Sequence, residues 1–179
     1  MIIKTKDNRQ VYLRRLNSND IDNLFFYLNM LGTGTKKRFG PHQFDKQSII
    51  DFYEHPGTHK SYIAQTIDTN EIIAYSIIRY GYLESDYHRF LSYGIELNRK
   101  TDCEFAPSVA DAWQSCGIGN QLFPFILQDL KETEIKRIVL WGGVQADNEK
   151  AIDYYKKNGF QTAGQFTYNG ENFDMIRDL

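Results

Sequence analysis

The sequence predicts a mixed α/β fold, a central and mostly antiparallel sheet with helices on both faces. Three observations predict it. Two early strand-like runs are joined by the turn-rich Asp68-Thr69-Asn70. A glycine-paired turn, Cys116-Gly117-Ile118-Gly119, separates an extended segment from an apolar helical one. The chain then closes on two strand-like runs around Asn169-Gly170, a hairpin-turn dipeptide.

Residues 10–16 alternate polar and apolar side chains as a half-buried strand does. Ser18 or Asn19 then caps a helix whose apolar stripe is Ile21, Leu24, Phe25, Leu28 and Leu31. Gly32-Thr33-Gly34-Thr35 breaks that pattern, and a second helix is predicted from Asp45 to about His55, with a mobile connector between the two. Strands follow at 61–67 and 71–80. Residues 81–101 give a weak signal, in which Phe90, Leu91, Tyr93, Ile95 and Leu97 point to a further strand or a packed loop.

Residues 104–111 read as the strand entering the glycine turn, and Leu122, Phe123, Ile126, Leu127 and Leu130 as the core face of the helix leaving it. Pro124 lies inside that helix and should kink it or shorten its regular part. A strand at 135–142, a helix at 148–158 and strands at 162–167 and 173–179 complete the pattern. The whole chain, 1–179, is expected to be a single domain.

With 179 residues, 41% of them hydrophobic and 25% charged, the chain can bury a core of its own. A net charge of -2 gives no general attraction to nucleic acid or to anionic lipid, and Lys36-Lys37-Arg38 is the only compact basic cluster. No apolar signal-peptide core follows Met1 and no run is long enough to span a bilayer, so a cytoplasmic protein with no membrane or nucleic-acid partner is expected. Cys103 and Cys116 lack the spacing of a zinc site and are expected as free thiols. His55 and His59 flank the turn Pro56-Gly57 rather than sharing a helical face, so no metal is expected.

The stretch Gln114-Ser115-Cys116-Gly117-Ile118-Gly119-Asn120 has the makings of an anion cradle. Glycines let the main chain approach a phosphate closely, and the first N–H groups of the following helix point outward with the positive end of its dipole. A dinucleotide fold is disfavoured because the third glycine of G-x-G-x-x-G falls on Leu122.

Gln114, Gly117 and Gly119 fill the fixed positions of the Gln/Arg-x-x-Gly-x-Gly/Ala signature of the GNAT superfamily of acyl-CoA-dependent N-acetyltransferases, which this loop resembles. A later helix with Asn148, Ala151, the pair Tyr154-Tyr155 and the closing Gly159-Phe160 is similar to the family's second element, in the right order. The segment 104–119 most resembles the bacterial protein-lysine acetyltransferase branch. The resemblance implies a GNAT-like sheet with splayed middle strands, direct acetyl transfer from acetyl-CoA to a primary amine, and no metal. A homodimer is left open.

By the same resemblance, main-chain groups of Val109 and Asp111 would bind the pantetheine arm. Gln114, Cys116, Gly117, Ile118, Gly119 and Asn120 would offer N–H groups to the diphosphate, and Asn148 would bond the coenzyme; its alternative is a plain helix cap. Tyr155 would protonate the departing thiolate, the alternative being a packing role beside Tyr154. Glu104 would act as base through water or else be a surface carboxylate, with Glu96 and Glu84 as weaker candidates. The family often places Lys or Arg near Cys116, whereas Ser115-Cys116 bring no charge. A noncatalytic acyl-CoA sensor or interaction module is therefore the alternative function. The amine acceptor is not legible; residues 32–44 are the stretch expected to shape its pocket.

Overall fold

The computed structural model describes residues 1–54 and 57–179. His55 and Pro56, with the predicted end of the second helix and one of the flanking histidines, lie outside the described residues. The chain forms two compact units, Met1–Ile77 with Pro107–Gln128, and Ile78–Ala106 with Asp129–Leu179. Among the described residues there are nine strands, hydrogen-bonded in the order β1-β2-β3-β4-β5-β6-β9-β7 with β8 on β9. Their spans are β1 Ile2–Lys4, β2 Gln10–Arg15, β3 His59–Thr66, β4 Ile72–Tyr80, β5 Asp102–Val109, β6 Arg137–Leu140, β7 Val144–Gln145, β8 Gln161–Thr167 and β9 Glu171–Asp178. The expected mixed, mostly antiparallel α/β sheet is what forms.

In the first unit, β2 pairs antiparallel with both β1 and β3, and buries Val11 and Leu13 on one side. β3 and β4 are buried along nearly their whole length, which suits interior strands covered on both faces. The short β1 was not anticipated.

Helix α1 (Ile21–Met30) follows a 3-10 turn at Ser18–Asp20. That turn is capped by Asn17, ahead of the expected Ser18 or Asn19, while α1's own N-cap position is Asp20. The Asn17 side chain accepts from Asn19 N at 3.0 Å, while Asp20 accepts from Asn17 N at 2.8 Å. Asp20 is buried because Arg14 clasps both carboxylate oxygens, at 2.6 and 2.7 Å.

The predicted break at residues 32–35 is instead the start of a helix, α2 (Thr33–Arg38). Its N-cap is Gly32, which has no side chain to bond the first turn. Asp111, far away in sequence, accepts from Gly32 N at 2.8 Å and from the Thr35 hydroxyl at 2.8 Å. A cap supplied from another segment is invisible to a local reading. Helix α3 (Lys46–Tyr53) is capped by Asp45, which accepts from Ser48 N at 2.9 Å.

In the second unit, the weak segment 81–101 contains a helix, α4 (Glu84–Ser92), where a strand or loop was expected. Phe90 on its buried side clusters with Tyr82, Leu97 and Val139, and Tyr87, Tyr93 and Ile95 pack against them. β5 and β6 run parallel from Asp102↔Arg137 to Phe105↔Leu140. β6 ends there, with one further bond from Trp141 N to the Phe105 carbonyl at 3.1 Å, while β5 continues to Val109.

Helix α5 (Ile118–Leu130) runs unbroken through Pro124, so the expected shortening does not occur. α6 (Glu149–Lys157) and the β8/β9 hairpin fall where expected. Asn169 and Gly170 both adopt positive φ, 51° and 114°, as a tight hairpin turn requires. The two-residue β7, paired to Asn172 and Phe173 of β9, was missed.

Candidate functional site

The glycine loop belongs to the first unit. Ser115 and Gly117 both take the left-handed conformation, φ 64° and 86°, immediately before α5 begins at Ile118. Among the described residues no protein acceptor takes the N–H of Cys116 or of Gly117. Donors of this kind at the head of a thirteen-residue helix suit a phosphate-bearing ligand.

Gln114 holds this shape. Its Nε2 donates to the Val109 carbonyl at 3.2 Å and to Thr35 Oγ1 at 3.4 Å, and its main-chain N–H donates to the Asp111 carbonyl at 3.3 Å. The glutamine thus ties the loop back onto the end of β5 and onto α2, a structural reason for its place in the motif. The carbonyls of Val109 and Asp111, expected to serve a pantetheine arm, each accept one of these bonds. The Asp111 carboxylate, for which no role was expected, caps α2.

Three residues missed by sequence reasoning reach the loop from the turn between β1 and β2. Lys6 N–H donates to the Cys116 carbonyl at 2.9 Å. The Arg9 guanidinium lies 3.4 Å from the centre of the Trp113 ring and donates to Cys116 Sγ at 3.3 Å. Asp7 pairs with Arg9 at 2.6 Å, and that hydrogen bond, helped by Thr5, lowers its carboxyl to about 2. Both cysteines are free thiols; burial pushes the Cys103 thiol well up, leaving it inert.

In the second unit, Asn148 caps α6, its side chain accepting from Ala151 N at 3.4 Å, so the helix-cap alternative is realised. Tyr155 is 8% exposed. Its ring meets Phe105, Phe160 and Tyr154 with centroids 6.5, 5.5 and 5.3 Å away, so it does pack beside Tyr154. Burial raises its phenol above the ordinary range, which keeps the hydroxyl protonated.

Glu104 is fully buried rather than on the surface. Its Oε1 accepts from Leu83 N at 2.6 Å and its Oε2 from Arg79 at 3.0 Å. Burial pushes its carboxyl up to about 7, reinforced by the negative charge of Asp86 and only partly offset by Leu83 and Arg79. A carboxyl poised near neutrality is suited to taking a proton. Glu84 and Glu96 are exposed, and Glu84 is engaged by Arg99 at 2.8 Å.

Beside Glu104 in this unit lies a buried ionic group that the weak signal at 81–101 concealed. Arg89 pairs with Asp174 at 2.8 Å and with Asp86 at 3.0 Å. Tyr93 donates its hydroxyl to Asp174 at 3.0 Å, and Gly142 N donates to Asp86 at 2.9 Å. The i, i+3 spacing of Asp86 and Arg89 was the available signal. Among the described residues no group of three or more His, Cys, Asp or Glu could hold a metal ion, and no helix is long and apolar enough to cross a membrane.

The sequence model of the acetyltransferase (GNAT) family matches residues 34–160. The chain belongs to that family. No curated protein matches it in sequence. Among solved structures, the GNAT domain of the S. lividans protein PAT superposes with a TM-score of 0.77 at 18% identity, covering 100% of this chain and 96% of that one. AAC(6')-Ib in complex with paromomycin and acetyl-CoA gives 0.68 at 21% identity, covering 94% and 93%. Spermidine N-acetyltransferase from Vibrio cholerae, in complex with CoA and spermine, gives 0.68 at 18% identity, covering 94% and 95%. At these identities the likeness is one of fold.

Proposed function

We propose that this chain is an N-acetyltransferase that moves an acetyl group from acetyl-CoA directly to a primary amine of a small molecule or a protein. The glycine loop carries the reading. Its left-handed Ser115 and Gly117, and the Cys116 and Gly117 amides with no protein acceptor among the described residues, support diphosphate binding at the head of α5. Membership of the acetyltransferase family, and fold neighbours solved with CoA or acetyl-CoA, support the same donor.

Acyl transfer to an amine needs a neutral nucleophile, a polarised carbonyl and a proton for the leaving thiolate. Tyr155, held protonated by burial, supplies that proton. Glu104 draws the proton from the incoming ammonium through water, a task suited to a carboxyl poised near neutral pH. Asn148 keeps α6 capped and contributes to coenzyme binding.

Thiol release from acetyl-CoA, followed across a panel of polyamines, aminoglycosides and peptides with free lysines or N-termini, tests this reading. Release matched by acetylated amine is expected. Coenzyme binding with no release for any amine would leave a noncatalytic sensor, and absence of coenzyme binding would end the reading altogether.

A further inference from the structure

We propose that Lys6, with Arg9 behind it, supplies from the β1–β2 turn the positive charge that the glycine loop itself lacks, and that Lys6 contacts the diphosphate of the bound coenzyme. This inference rests on the coenzyme reading above.

The loop sequence Ser115-Cys116 brings no cation, yet the fold brings two. The aliphatic stem of Lys6 lies across Gly117: a Cβ built on that glycine would sit 3.4 Å from Lys6 Cγ and 3.6 Å from Cε. These are ordinary van der Waals contacts, so the lysine stem packs directly on the loop, and it is the left-handed φ of 86° that calls for glycine at 117. The Lys6 N–H bond to the Cys116 carbonyl fixes the turn against the loop, so the backbone of the lysine is held beside it. Lys6 is exposed and pairs with no carboxylate among the described residues, so its ammonium is available to a ligand.

Arg9 adds a second observation. Its Nε is the one buried side-chain polar atom without a hydrogen-bond partner among the described residues, while its other contacts are to Asp7, Cys116 and the face of Trp113. An unsatisfied donor of that kind is uncommon, and here it lies beside the proposed diphosphate cradle. Lys6 and Arg9 against Asp7 leave one net positive charge at the loop. The neighbouring helix N-terminus adds its own partial charge. A lysine serves a phosphate as a point charge and needs no bidentate geometry.

Isothermal titration of the purified full chain with coenzyme A, at salt from about 0.05 to 0.5 M, tests this for wild type, Lys6→Ala and Lys6→Arg. Lys6→Ala is expected to weaken binding about tenfold at the low-salt end, with the gap closing as salt screens the charge, and Lys6→Arg to restore most of the loss. Wild-type affinity in Lys6→Ala, or a loss of the same size at every salt concentration, would overturn the inference while leaving the coenzyme reading intact. Failure of wild type to bind coenzyme A would overturn both.

Discussion

The Arg79 guanidinium donates to Glu104 Oε2 at 3.0 Å, while Glu104 itself has no exposed surface. An arginine contact alone would hold a carboxyl below its ordinary value. Here burial and the Asp86 charge outweigh it, and Glu104 rises from 4.5 to about 7. Because the folded-state value is raised, the stabilisation belonging to the protonated form is complete below pH 4.5 and is lost as pH climbs through about 7. Glu104→Gln is therefore expected to flatten the fall in thermal midpoint across that window. It should also remove the acidic limb near pH 7 from the kcat/KM profile. Both are read from pH series on the two proteins.

Tyr155→Phe keeps the ring that packs on Phe105 and Phe160 and deletes only the hydroxyl. If the phenol protonates the thiolate, kcat for acetyl transfer should fall about a hundredfold with the KM for acetyl-CoA little changed. A thermal midpoint near that of wild type would separate this loss from misfolding.

The start of α2 depends on a carboxylate from the other end of the first unit. Asp111→Ala strips the acceptor from Gly32 N and from Thr35, and should cost about 1 to 2 kcal/mol in urea unfolding. Asp111→Asn, which keeps one acceptor oxygen, should recover part of it.

Gly164 sits beneath the Tyr93 ring, where an added Cβ would come within 2.3 Å of Cζ. Gly164→Ala is expected to destabilise the protein by about 1 to 2 kcal/mol, because the ring can make room only by giving up its hydroxyl's bond to Asp174, a carboxylate that Arg89 still holds. Chemical denaturation of the variant measures it.

Strands, the glycine turn and the terminal hairpin were legible because each is written locally: alternation in β2, positive-φ residues at Asn169 and Gly170, a glycine pair opening α5. α2 was misread since its cap comes from Asp111, and α4 because its apolar face is narrow among charged residues that satisfy one another in the fold. The alternative that put Glu104 on the surface fails because a strand carboxylate carries no mark of its burial in sequence. Lys6 and Arg9 escaped because the turn that carries them meets Cys116 across 107 residues of chain. Loop chemistry is local in sequence, whereas the charges that complete it are not.

The account turns on the glycine-loop amides meeting the coenzyme. Backbone amide NMR shifts followed while coenzyme A is titrated into the labelled protein test it most directly. Saturable shifts concentrated at Cys116, Gly117, Ile118, Gly119 and Asn120 are expected. Binding that leaves those five amides unmoved, or no binding at all, would contradict it.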